Sequence, residues 1–72
     1  MKEPVIYHVA PDKRLDKWSV HKEGAREPKA KGLSKHKAIE WAIKNLKKKA
    51  RPALLLIHKT RYIIDRQFLL SS

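Results

Sequence analysis

Ser34-Lys35-His36-Lys37-Ala38-Ile39-Glu40-Trp41-Ala42-Ile43-Lys44-Asn45-Leu46-Lys47-Lys48-Lys49-Ala50-Arg51-Pro52 is the stretch on which the fold turns. Ile39, Ala42, Ile43, Leu46 and Ala50 recur at helical spacing, so a single helix face is apolar. Ser34 suits the N-cap, because its hydroxyl can accept a hydrogen bond from an otherwise orphan backbone amide. Leu33 just before it can staple onto Ala38. Lys47, Lys48 and Lys49 fall where cations complement the negative end of the helix dipole. Pro52 ends the run and pushes Arg51 toward extended geometry. The spacing predicts a helix over 35–49.

Working outward, the segments on both sides read as strands. Val5-Ile6-Tyr7-His8-Val9 is rich in β-branched and aromatic residues and stops at the turn pair Pro11-Asp12. Period two sets Val5, Tyr7 and Val9 on one face, with Ile6, His8 and Ala10 on the other. A polar connection over 13–16 leads to Lys17-Trp18-Ser19-Val20-His21-Lys22, whose alternation completes an antiparallel hairpin. Gly24 can supply the positive φ that its end requires. Pro28 restricts any third strand within 26–33 to a short or edge position. After the helix, Ala53-Leu54-Leu55-Leu56-Ile57-His58 is nearly continuous apolar, as in a central strand covered in part on both faces. Arg61 to Asp65 reads as its partner strand, joined through Lys59-Thr60 with no glycine. Gln67 to Leu70 reads as a tail over the core. The order β-β-(β)-α-β-β predicts an α+β two-layer domain: an antiparallel sheet of three to five strands with one helix on one face.

The 72 residues hold one domain and no second core. Without cysteine there is no disulfide and no thiolate metal site. No apolar run approaches the roughly 20 residues that span a bilayer. Met1-Lys2-Glu3-Pro4 runs straight into a strand-like segment without a signal-peptide block, so a cytoplasmic protein is expected. Charge dominates the composition: 18 Lys and Arg against seven Asp and Glu give +11. That excess costs folding energy through self-repulsion, and nucleic acid is its usual counterpart. A merely solubilising surface is the plainer reading.

Tyr7-His8-Val9 followed by Pro11, then Trp18-x-Val20, then Glu23-Gly24-Ala25, form a recognisable pattern. With Lys37-Ala38-Ile39-Glu40, the run 53–58 and the segment from Tyr62 to Phe68, the chain resembles a small bacterial family, domain of unknown function 2188. The resemblance spans roughly Tyr7 to Phe68 and rests mainly on strand and turn positions. It therefore implies a fold and carries over no catalytic residues. Two departures stand out: Lys59 occupies a position that is typically glycine in the family, and Trp41 one that is typically small.

Trp41 lies away from the centre of the apolar stripe, framed by Lys37, Lys44, Asn45 and Lys48. An aromatic plane among ammonium groups suits base stacking or wedging on nucleic acid. Trp41 could equally fold over the edge of the sheet or enter a partner interface. A second basic group, Arg26, Lys29, Lys31 and Lys35, runs from the loop into the helix start, where Lys35 and Lys37 oppose the dipole. Four histidines without His-x-His or His-x₃-His spacing predict no metal site, only strand histidines more exposed than not. Seven scattered carboxylates, dispersed serines and two glycines assemble neither an acid–base pair nor a phosphate loop. A membrane-surface role is not expected, because the sheet consumes the apolar stripe.

The expectation is thus a non-enzymatic nucleic-acid-binding module of low sequence specificity, with no cofactor, small-molecule substrate or membrane partner. Lys37, Lys44, Lys47, Lys48, Lys49 and Arg51, seconded by Arg26, Lys29, Lys31 and Lys35, would neutralise phosphates, and Trp41 would stack. The alternative is a protein-interaction module, a homodimer or an adaptor for an acidic protein.

Overall fold

Alternation decides where the core sits. In the computed structural model, which describes residues 4–12, 16–48 and 52–70, strand β1 (Val5–Pro11) buries Val5, Tyr7, Val9 and Pro11 and leaves Ile6, His8 and Ala10 half-covered on the other side. β2 (Trp18–Lys22) pairs with it antiparallel, Val9 opposite Val20 and His8 opposite His21. β3 (Ala30–Leu33) pairs with β2 and is an edge strand of four residues, as Pro28 required. Gly24 at φ +88° lets the chain reverse between them.

Helix α1 (Lys35–Lys47) follows at once. Ser34 is its N-cap, extended at φ −71°, ψ 161°, and its side chain accepts a hydrogen bond from the Lys37 amide. The helix ends sooner than the periodicity predicts, with Lys48 as C-cap. Ala38, Ala42 and Leu46 are buried, while Ile39 and Ile43 pack against the core from its flank. The small side chains on the central line let the helix approach the sheet closely. Leu33 is half-buried against the same core.

β4 (Ala53–His58) is an interior strand, parallel to the central β1 on one side and antiparallel to the edge strand β5 (Ile64–Leu70) on the other. The strand order is β3-β2-β1-β4-β5. The domain is the expected α+β arrangement of five strands and one helix, but the sheet is mixed rather than wholly antiparallel. A helix between strands permits a parallel return, which a tight hairpin cannot make. β4 thereby joins beside β1, next to the largest apolar surface, instead of extending the sheet beyond β3.

The C-terminal strand differs from the sequence reading in its limits. Arg61, Tyr62 and Ile63 belong to the connection, and Gln67 to Leu70 is strand rather than covering tail. The connection compensates for its missing glycine through Thr60. Its Oγ1 accepts hydrogen bonds from the amides of Tyr62 and Ile63 at 3.2 and 3.1 Å, and the Lys59 amide donates to the Ile63 carbonyl at 2.7 Å.

Leu55 is fully buried, with Tyr7 beside it in the β1–β4 register. Leu55→Ala is expected to cost about 2–5 kcal/mol through lost transfer energy and a residual cavity. Leu54→Ala, on the sheet face without a helix, should cost distinctly less. Urea midpoints of the two variants measure the difference, and equal losses would mean that the second face is covered as well as the first.

Candidate nucleic-acid interface

The residues predicted to bind a polyanion fall into separate groups. Lys37, Lys44, Lys47 and Lys48 are exposed on α1. At 100° and about 1.5 Å per residue, Lys37, Lys44 and Lys48 lie on a single stripe roughly 16 Å long. Leu33, Lys37, Glu40, Trp41 and Lys44 border a shallow groove of about 290 Å³. Glu40 borders the same groove, and its carboxylate lies 2.7 Å from His36 Nε2, one turn earlier on the helix. Among the described residues, none of the lysines is held in an ion pair. The first helical turn carries no acidic residue, so the positive end of the dipole adds to the field of Lys37, while Lys44, Lys47 and Lys48 stand at its negative end.

Trp41 is half-buried, and its indole stacks on the Tyr7 ring with centroids 6.4 Å apart and planes inclined by 21°. Tyr7 is itself only 2% exposed. One face of Trp41 is therefore spent on the core: it seals the helix flank over β1. What remains outward is the rim beside Lys37 and Lys44.

Arg26, Lys29 and Lys31 are exposed on the β2–β3 connection and β3, but they do not line the helix groove. Lys35 turns away from the stripe and sets its ammonium 5.2 Å from the centre of the Trp18 ring. Lys49 and Arg51 lie outside the described residues. A cleft that the sequence reading missed gathers Lys17, Trp18, Lys31 and Arg61 at one end of the sheet. The adjacent pair Lys17-Trp18 was its only local signal, because Arg61 arrives from the far end of the chain.

The sheet face without a helix carries three histidines, half-buried rather than mostly exposed. His8 Nδ1 lies 3.0 Å from His58 Nε2, and His8 Nε2 lies 3.2 Å from a Glu23 carboxylate oxygen. The distances are met with the proton on either nitrogen of the His8–His58 contact. His8 donates to Glu23 from Nε2, since a carboxylate oxygen only accepts. His58 Nδ1 is buried without a hydrogen-bond partner among the described residues. Ser19 Oγ is 2.9 Å from His21 Nε2, a contact that neighbouring same-face strand positions bring about by themselves. No group orienting the other His21 nitrogen is found among the described residues, so the pair lacks the third member that an activated serine uses. The described histidines and acids form no cluster able to hold a metal ion.

Burial, and secondarily the nearby His8, lowers the His21 and His58 pKa values below the usual 6.5. The Thr60 backbone offsets part of this at His58. With the folded values depressed, the unfolded chain binds protons first as pH falls, so stability is full above about 6.5 and declines below it. The thermal midpoint, followed by circular dichroism, is expected to drop between about pH 7.5 and pH 5, and His21→Asn with His58→Asn should flatten the slope. A midpoint constant across this range would contradict the lowered values of His21 and His58.

No helix among the described residues is long and apolar enough to cross a membrane. No curated protein and no solved structure matches this chain. A family model does match, over residues 7–66, from the middle of β1 into β5. The chain belongs to the family described as an uncharacterized protein conserved in bacteria, DUF2188.

Proposed function

We propose that this protein is a non-enzymatic nucleic-acid-binding module of the cytoplasm, docking the outer face of α1 on phosphates. The observation that carries the reading is the stripe of Lys37, Lys44 and Lys48. These cations are exposed, unpaired among the described residues and aligned along a rigid element. Each phosphate neutralised by such a group releases condensed counterions, which drives association. Lys47 widens the stripe, and the outward rim of Trp41 gives sugar or base an apolar contact between Lys37 and Lys44. Ammonium groups on phosphates position a protein without reading bases, so the binding has low sequence specificity. Lys17, Lys31 and Arg61 in the cleft at the sheet end form a second, smaller set of phosphate contacts.

An adaptor for an acidic protein would use the same lysines, and salt dependence separates the two. Affinity for random duplex oligonucleotides is expected to fall steeply between about 50 and 200 mM salt. Replacing Lys37, Lys44 and Lys48 together by Ala should reduce the slope of log K against log salt by about 2–3, near 0.9 per lost duplex contact. Trp41→Phe, which keeps an aromatic on Tyr7, should change affinity less than the triple variant. Fluorescence anisotropy measures all three. Absence of binding at the low-salt end, for duplex and single strands alike, would sink the proposal.

A further inference from the structure

β5 differs from the rest of the molecule. All the large hydrophobic residues exposed among the described residues belong to one segment: Tyr62, Ile63, Ile64, Phe68 and Leu69, with Leu69 76% and Phe68 42% exposed. β5 is also an edge strand. Its outer backbone donors and acceptors therefore face away from β4 and form a template for another strand. Natural edges are commonly blunted by lysine, proline or shortness, and β5 has none of these in its seven residues. The irregular register at Ile57/His58 lies at its beginning and leaves Arg66 to Leu70 in regular pairing.

The side facing α1 is open as well. The helix packs on β1 to β4. Between it and β5 runs a groove of about 310 Å³ bordered by Ile39, Ile43, Ile57, Phe68 and Leu70, with the charged Lys35, Asp65 and Arg66 also on its walls. Apolar residues on both walls leave this groove incompletely filled by the chain itself.

We infer that β5 is the interface of a symmetric homodimer, in which two copies pair their β5 strands antiparallel into a continuous ten-stranded sheet. Charge selects the occupant. The chain carries +11, yet β5 holds one Asp and one Arg and is neutral. An acidic partner is attracted to the lysine stripe and gains nothing at β5, whereas a second copy presents the same neutral, apolar edge. A two-fold axis through Gln67 sets that residue opposite its own copy and Arg66 opposite Phe68 of the second copy, a cation–π pairing made twice. An axis through Arg66 would instead oppose like charges. On the helix side, the two grooves merge into one channel between the two copies of α1, with the Arg66–Phe68 pairs at its centre and Ile39, Ile43 and Leu70 of each copy along its walls. A domain of 72 residues without disulfides gains most from such added burial.

The full chain, freed of nucleic acid by nuclease and held at about 0.5 M salt, where polyanion bridging is screened, tests this by sedimentation equilibrium. The mass is expected to rise with concentration from 8.4 kDa toward twice that value. Leu69→Lys, at a site exposed in the monomer, should return it to the monomer mass with an unchanged circular-dichroism spectrum. Because the chain has no cysteine, a single Gln67→Cys should cross-link with a short bis-maleimide, whereas Lys48→Cys on the outer helix face should not. A monomer at every concentration overturns the inference, as does a dimer that cross-links through position 48 and not 67. The result is separable from the nucleic-acid reading, since monomeric Leu69→Lys keeps its lysine stripe and should still bind oligonucleotides.

Discussion

One helix of 13 residues has to cover a sheet of five strands. A helix is about 10 Å across, while five strands spaced about 4.8 Å span nearly twice that width. The rest of the structure follows from this shortfall. The buried set is narrow: Val5, Tyr7 and Val9 from β1, Val20 from β2, and Ala53, Leu55 and Ile57 from β4, under Ala38, Ala42 and Leu46. Trp41 seals one flank of the helix and Ile39 and Ile43 the other. Beyond that second flank β5 is left uncovered, and on the opposite face the described residues form no second layer.

The local parts of this arrangement were legible because they rest on short-range rules. Alternation gave the buried face of β1, and the hydroxyl of Ser34 with the apolar spacing after it gave the start of α1. Pro28 confined β3 to a short edge strand. What escaped the sequence depends on distant partners. The parallel pairing of β1 with β4 is a choice between two ways of inserting an apolar strand, and composition does not distinguish them. The β5 limits were misjudged because Thr60 supplies by side chain what a glycine would supply by backbone, which lengthens the connection through Ile63.

The candidate site was legible in a similar way. Helical periodicity placed Lys37, Lys44 and Lys48 on one stripe without knowledge of the sheet. It could not say whether Trp41 was free, because Tyr7, the residue that stacks on it, lies 34 positions earlier. Likewise, the dipole conflict of Lys35 in the first turn has a local resolution in the Trp18 ring. The cleft of Lys17, Trp18, Lys31 and Arg61 joins three separate segments and has no sequence period at all.

The narrow cover of the helix also separates two kinds of surface. Lysines dominate the outer side of α1, where an apolar partner would be rejected, while β5 carries no net charge and four apolar residues of its seven, so a polyanion finds little there. Two copies joined at β5 would carry two lysine stripes on one rigid sheet. A long polyanion engaging both would meet the second stripe at an effective concentration set by the fixed spacing, so that modest contacts to one copy become strong binding to two. Pairing also doubles the charge, and the repulsion between copies is weakened by the Debye length of about 8 Å at physiological salt. Nucleic acid would weaken it further by neutralising both stripes. The two surfaces would then be coupled through electrostatics, each event lowering the cost of the other, without any change in the conformation of the sheet.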